Sequence, residues 1–256
     1  MAAEKMYGPL ADWFHLITHP NDYEEEASIF SNIFLEEKAE VSTLLELGSG
    51  GGNNASHMKQ HFEMTLVDRS KAMLNVSKKL NPKCKHFEGD MCSVRLNKTY
   101  DGVFIHDAIS YLKTEDELRA ALETAFVHCR PGGRAVFVPD HTKETFKEST
   151  SHGGHDGKER SLRYLEWTIY KDSSHSSYLC HFAYLMRKEN GSVNIEHDQH
   201  ELGLFSRDRW LALISEVGFE AQTRPFEHSE LESASCEIFL GLKPQQELPF
   251  IGSTAL

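Results

Sequence analysis

Glu46-Leu47-Gly48-Ser49-Gly50-Gly51-Gly52-Asn53 sets an acid and a glycine cluster directly after the short apolar run Val41–Leu47. Glycines at such a junction let the backbone turn tightly and approach a ligand at a helix N-terminus, where unpaired N–H groups point outward. Asp68 lies twenty residues past Gly48, at the end of the next apolar run, and is followed by Arg69 and Ser70. A carboxylate at that place can accept both hydroxyls of an adenosine ribose. Loop and acid together point to a cofactor built on adenosine.

The choice of cofactor turns on two positions. A dinucleotide fingerprint would want glycine at 53, where the chain has Asn53. Glu46 has no use against a pyrophosphate but suits a cation. S-adenosylmethionine (SAM) carries an ammonium and a sulfonium, so the loop is read as a SAM site. The plain alternative for Glu46 is a solvated strand end.

Methyl transfer is an in-line displacement, and holding the nucleophile near attack distance supplies much of its acceleration. A nucleophile that must lose a proton also gains from a nearby histidine or carboxylate. Ligands of α/β sheets sit at the carboxyl ends of strands, which singles out His106, Asp107 and Tyr111 after one strand and His141 after the next. His106, His141 and Tyr111 are the catalytic candidates; Asp107, Glu166 and His200 are candidates for the substrate wall. The bland alternatives are a buried hydrogen-bonded histidine at 106 and an ordinary loop residue at 141. Histidines also cluster at His152-Gly153-Gly154-His155 and His197–His200. Metal sites need convergent ligands on ordered elements and the first cluster is glycine-rich, so no metal is expected.

The elements that must position these groups are legible as alternation. Strand signals at Val41–Leu47, Met64–Asp68, Lys85–Glu88, Gly102–His106 and Arg134–Pro139 alternate with helical stretches at Asn54–Phe62, Ser70–Leu80 and Thr114–Cys129. A polar loop replaces the helix between the third and fourth strands. Such alternation predicts a doubly wound α/β domain with a mostly parallel sheet. Thr114 and Glu117 have the spacing of a capping box, and Arg130-Pro131-Gly132-Gly133 stops that helix. A helix is expected before the first strand, over Tyr23–Glu40. Residues 141–160 are polar and read as a long mobile loop. Strands at Leu162–Tyr170, Ser177–Arg187 and Ser192–Phe205 then predict an antiparallel three-stranded insertion. The α/β pattern resumes with a helix at Ser206–Val217 and strands near Phe219–Arg224 and Ser235–Leu242.

Composition narrows the partners. The formal charge is −12, from 27 Lys and Arg against 39 Asp and Glu, which disfavours nucleic acid as a ligand. No apolar run approaches membrane-spanning length. Five scattered cysteines form no C-x-x-C pair, against a disulfide framework or zinc knuckle. With no leader visible near Met1, a cytoplasmic location is the default expectation.

The motifs resemble the class I (Rossmann-like) SAM-dependent methyltransferases through about residues 40–140. Glu46-x-Gly48-x-Gly50-x-Gly52 is similar to their first motif, and Asp68 to the ribose-binding acid. Glu88-Gly89-Asp90-Met91 resembles the motif whose acid faces the adenine amino group, with Met91 against the ring. Tyr100–Asp107 and Cys129–Gly133 resemble the motifs of strands four and five. The resemblance implies a seven-stranded sheet with the last strand antiparallel, and SAM held by Glu46, Gly48, Ser49, Gly50, Gly52, Asp68, Arg69, Asp90, Met91 and His106. A narrower likeness is to small-molecule methyltransferases, among them amino-sugar N,N-dimethyltransferases and trans-aconitate methyltransferase-like proteins. It implies an N-terminal aromatic lid, for which Tyr7 and Trp13 are the candidates unless both merely anchor that segment.

The expected organisation is a helical lid segment (1–40), a Rossmann-like domain (41–140 and 206–242), a β-rich insertion forming a substrate wall (141–205) and a tail (243–256). The expected activity is SAM-dependent N- or O-methylation of a small molecule, the chain acting alone or as a homodimer. A nicotinamide-dependent oxidoreductase and a non-catalytic SAM-binding module are the rival readings.

Overall fold

Short apolar runs buried on both faces build the central sheet. In the computed structural model, which describes residues 4–36, 41–229 and 236–245, these runs become β1 (Thr43–Leu47), β2 (Glu63–Asp68), β3 (Lys85–Glu88), β4 (Tyr100–His106) and β5 (Cys129–Val138). With β10 (Glu220–Pro225) and β11 (Glu237–Leu242) they form a seven-stranded sheet in the order β10-β11-β5-β4-β1-β2-β3. β11 runs antiparallel to both its neighbours, and the remaining pairs are parallel. Most of the expected tail at 243–256 lies outside the described residues.

Alternate residues of each strand enter two separate cores. Leu45, Leu47, Val103, Ile105 and Phe137 pack under α5 (Glu115–His128) and α6 (Arg207–Glu216). Leu44, Leu66, Phe104 and Val136 pack under α2 (Glu24–Leu35) and α3 (Asn53–Met58). Burial on both faces is why the strands read as continuous apolar runs rather than as alternation. α4 (Lys71–Leu80) begins at Ser70, whose hydroxyl accepts from Met73 N. α5 opens on the expected capping box: Thr114 Oγ1 accepts from Glu117 N at 3.2 Å, and Glu117 Oε2 accepts from Thr114 N at 3.1 Å.

The insertion after β5 is a second sheet of four strands, not three. β7 (Ser161–Tyr170), β8 (Ser177–Arg187) and β9 (Val193–Gly203) stand where sequence predicts them, and β6 (Ser149–Gly153) adds an edge inside the expected loop. Ser149-Thr150-Ser151-His152-Gly153 has no apolar alternation because the strand is largely exposed, so only its pairing with β7 reveals it. One face of this sheet turns Tyr178, Cys180 and Leu202 toward Phe146 and Leu204. On the same face Leu162, Tyr184 and Met186 cover Met6. The N-terminal segment, including α1 (Phe14–Ile17), is thereby clamped between the two sheets.

Candidate active site

Strand register brings the chemistry to one edge. Leu47 pairs with Val67, Asp68 with Glu88, and His106 with Val138, so the loops after β1, β2, β3, β4 and β5 open on the same side. There they surround a cavity of about 340 Å³, within the range of small-molecule sites. Gly48 and Ser49 amides donate to Val67 O at 2.8 and 3.0 Å, turning the chain away from the sheet. Gly48 has φ +72°, and a Cβ there would lie 2.4 Å from Ala108 Cβ. Only glycine lets this loop pass so close to the start of the β4–α5 connection.

Glu46 is 4% exposed, and its Oε2 has no hydrogen-bond partner. Burial, then the neighbouring Asp68 and Glu26, push its carboxyl up to about 8. A buried acid without a partner, facing a cavity, is a receptor for a cation. Asp68 is arranged differently. Its Oδ2 accepts from Gly50 N at 2.8 Å and its Oδ1 from Ser70 N at 2.7 Å. Each oxygen keeps a further lone pair, as a vicinal diol would require; burial nonetheless raises its pKa. Asp90 Oδ1 accepts from Cys92 N at 2.7 Å, and Met91 lies against Gly48 at the cavity wall. Arg69 also lines the cavity and pairs with Glu4 at 3.2 Å. The donor and acceptor set fits the ammonium, the ribose and the adenine of SAM.

The other end of the cavity is acidic. Asp107 sits at φ +38°, an uncommon conformation for a residue with a side chain. The turn aims half of its side chain into the cavity, and the protein packed around it still raises the carboxyl well above its usual range. Its partner is Asp140, raised by burial and then by Asp107 itself. Tyr178 OH donates to Asp140 Oδ2 at 3.2 Å. Two neighbouring carboxyls cannot both ionise cheaply, so Asp107 raises the resistance of Asp140 to losing its proton. His106 Nε2 stands 3.1 Å from Asp107 Oδ1 and 3.8 Å from Glu26 Oε1, while Nδ1 meets Asn54 Nδ2 at 3.3 Å.

The sequence profile described as a methyltransferase domain matches residues 44–133. Residues 44–133 form a methyltransferase domain. Its fold is the class I arrangement. Over 129 residues the chain is 33% identical to dTDP-3-amino-3,4,6-trideoxy-alpha-D-glucopyranose N,N-dimethyltransferase of Streptomyces venezuelae. That alignment covers 50% of this chain and 54% of the relative, so the chain spans about half the length of that curated relative. The crystal structure of DesVI from Streptomyces venezuelae superposes with a TM-score of 0.79 at 24% identity, covering 93% of this chain and 98% of that one. A SAM-bound amino pentose methyltransferase from Micromonospora echinaspora gives 0.73 at 19% identity, over 86% and 92% of the two chains. These two likenesses concern the fold.

Of the residues singled out from sequence, Tyr7, Glu46, Gly48, Ser49, Gly50, Asp68, Arg69, Asp90, Met91, His106, Asp107 and Tyr111 all line the methyltransferase cavity. Five do not. Gly52 caps α3 at φ +78°, where a Cβ would strike Ser77 Oγ at 2.3 Å, so its lack of a side chain serves helix packing. Trp13 lies under the Arg160 guanidinium, 4.7 Å from its ring centroid. His141 packs edge-on to Phe146 and Tyr178 with ring centroids 5.4 and 5.6 Å away. Glu166 accepts from Ser151 Oγ at 3.0 Å on the insertion sheet. His200 is buried behind Tyr111. Thr18, Tyr23 and Asn54 also line the cavity, and no sequence motif marks them; Asp140, next to His141, lies behind Asp107. Among the described residues no group of three His, Cys, Asp or Glu converges as a metal site. No described helix is long and apolar enough to cross a membrane.

Proposed function

We propose that this protein transfers the methyl group of SAM to the nitrogen of a small-molecule amine, an amino sugar being the acceptor class. The observation that supports it is the Asp107 carboxyl, which lines the cavity together with His106 and Glu46 and has Asp140 beside it. SAM supplies an electrophilic methyl carbon on a sulfonium. On this reading Glu46 receives the cofactor's ammonium, Asp68 its ribose hydroxyls, and Asp90 with Met91 its adenine. Tyr7 closes the cavity from the N-terminal segment, where its carbonyl is bonded to Ser70 Oγ. The two oxygens of Asp107, backed by Asp140, accept N–H bonds from the acceptor and so fix the direction of the nitrogen lone pair, which is the positioning that an in-line displacement needs. A hydroxyl would be held less well, since it offers such a pair a single donor.

The relative's name specifies a dTDP-linked amino sugar. Here Glu46, Asp68, Asp90, Asp107 and Glu117 line the cavity beside Arg69, so a diphosphate would have to lie outside that wall. We read residues 4–36 as the lid and 141–205 as the substrate wall. A cytoplasmic setting agrees with cysteines that form no disulfide among the described residues, and the charge of −12 with a partner other than nucleic acid.

Calorimetric titration with S-adenosylhomocysteine tests the cofactor half, with Asp68→Ala losing the binding seen in wild type. Mass spectrometry of free and dTDP-linked amino sugars incubated with SAM then tests the acceptor half. A gain of one or two methyl groups on nitrogen supports the proposal. Binding of the cofactor with methylation confined to hydroxyl acceptors would overturn it.

A further inference from the structure

From the cavity wall a buried chain of polar contacts runs back into the insertion sheet. Tyr7 OH and Tyr111 OH lie 2.9 Å apart, and both residues line the cavity. Tyr111 OH is 2.6 Å from His200 Nδ1, and His200 Nε2 is 3.1 Å from Asp198 Oδ2. The same Asp198 oxygen accepts from Met6 N at 3.0 Å, which holds the carboxylate in place. His200 and Asp198 are 4% and 6% exposed, so this chain of groups is sealed from bulk solvent except through the cavity.

We propose that Tyr7, Tyr111, His200 and Asp198 form a proton relay that carries the acceptor's proton out of the cavity and stores it on the His200 imidazole. The proposal rests on the methyltransferase reading above. Two hydrogen-bond patterns satisfy these distances and differ by one proton; the geometry of the free protein, with Tyr111 OH donating to Tyr7, is that of the second. With neutral His200, Tyr7 OH donates to Tyr111, Tyr111 OH donates to Nδ1, and Nε2–H donates to Asp198. With imidazolium, Nδ1–H donates to Tyr111 and Tyr111 OH donates to Tyr7. Adding a proton at Tyr7 therefore reverses both hydroxyls and leaves the net charge beside Asp198, and the proton returns by the same route to water that enters the cavity when the products leave.

The step balances. The amine lone pair forms the N–CH3 bond while the C–S bond breaks onto sulfur, and the methylated ammonium then gives its proton to Tyr7 O. Burial holds both phenols far above the range in which they ionise at neutral pH, so each hydroxyl passes a proton on as it receives one and no free phenolate is needed. The groups facing the relay favour a cation at its far end. Asp198 faces it from β9, Tyr184 from β8 and Glu166 from β7. Glu4 faces it from the N-terminal segment and Asp140 from the end of β5. His200 and Asp198 are positioning residues that act through Tyr111.

The first test needs no turnover. Nitrogen-15 NMR of histidine-labelled protein bound to S-adenosylhomocysteine should show neutral His200 protonated on Nε2 and bare on Nδ1. The opposite tautomer would overturn the relay. The second test is kinetic, using Tyr111→Phe, which removes one oxygen, and His200→Ala with added imidazole. Expected is a fall in kcat of roughly 100-fold or more, with cofactor affinity and acceptor KM within about twofold. The pH–rate profile of both variants should differ in shape from that of wild type, and imidazole should restore part of the rate to His200→Ala. Unchanged kcat and pH profile in Tyr111→Phe would overturn the relay while leaving the methyltransferase reading intact. Absent cofactor binding in wild type would instead remove that reading.

Discussion

Glu46 costs the fold stability, which the proposed role in cofactor binding would explain. Its carboxyl is buried, unpartnered and raised to about 8, against roughly 4.3 for a free glutamate. The folded protein therefore binds more protons than the unfolded chain between those values, and stability declines as pH rises through that window. Glu46→Gln removes the titration. Melting temperature should rise by about 2–4 °C at pH 8 and hardly change at pH 5, while affinity for S-adenosylhomocysteine falls by about tenfold or more. Differential scanning calorimetry at both pH values checks the first part; an equal shift at both would show that packing rather than charge decides. Gly48→Ala is the complementary case. Its Cβ has nowhere to go beside Ala108, so cofactor binding should be lost along with ~1–2 kcal/mol of stability, measured by denaturant titration.

Helix α5 shows how an element serves the site from a distance. Its capping box orders Thr114 and Glu117, and Glu117 also lines the cavity. Thr114→Ala should cost about 1 kcal/mol of unfolding free energy with cofactor affinity unchanged, because the carboxylate keeps its bond to Lys113 N at 2.8 Å. Chemical denaturation and calorimetric titration on one preparation separate the two effects. The N-terminal segment is bound more widely: His15 Nε2 reaches Gly51 O at 3.2 Å, and His155 Nε2 reaches Asp22 at 2.9 Å. It is held by the glycine loop on one side and the insertion on the other. Tyr7 can line the cavity only because both sheets are in place.

For the whole molecule the unresolved tension is the outer face of the insertion sheet. Leu165, Trp167, Leu185, Val193 and Ile195 are between 45% and 73% exposed. By strand alternation all stand opposite the face that covers Met6. Apolar side chains gathered on one face mark association surfaces. A homodimer through this face is the expected outcome, with light scattering giving twice the chain mass and Trp167→Glu with Ile195→Lys returning the monomer. A monomeric wild type at high concentration would refute it. The inner face, which holds His200 and Asp198, should be unaffected by that change.

Legibility followed the range of the interactions. Glu46, the glycine loop and Asp68 could be read from the sequence because a strand end, a tight turn and the next strand end lie close along the chain, and their spacing is set by local geometry. The strand–helix alternation and the Thr114 cap were readable for the same reason. β6 was not, since a short exposed edge strand has no apolar period and exists through its pairing with β7. Asp140, His200 and Asp198 required the folded chain as well. A bond such as Met6 N to Asp198 joins residues 192 positions apart, and nothing in either neighbourhood announces the other. Residue types and local spacing determined the cofactor loop and the layered fold. The tertiary structure alone decided which of the many acids and histidines meet, because burial and packing, rather than sequence distance, choose their partners.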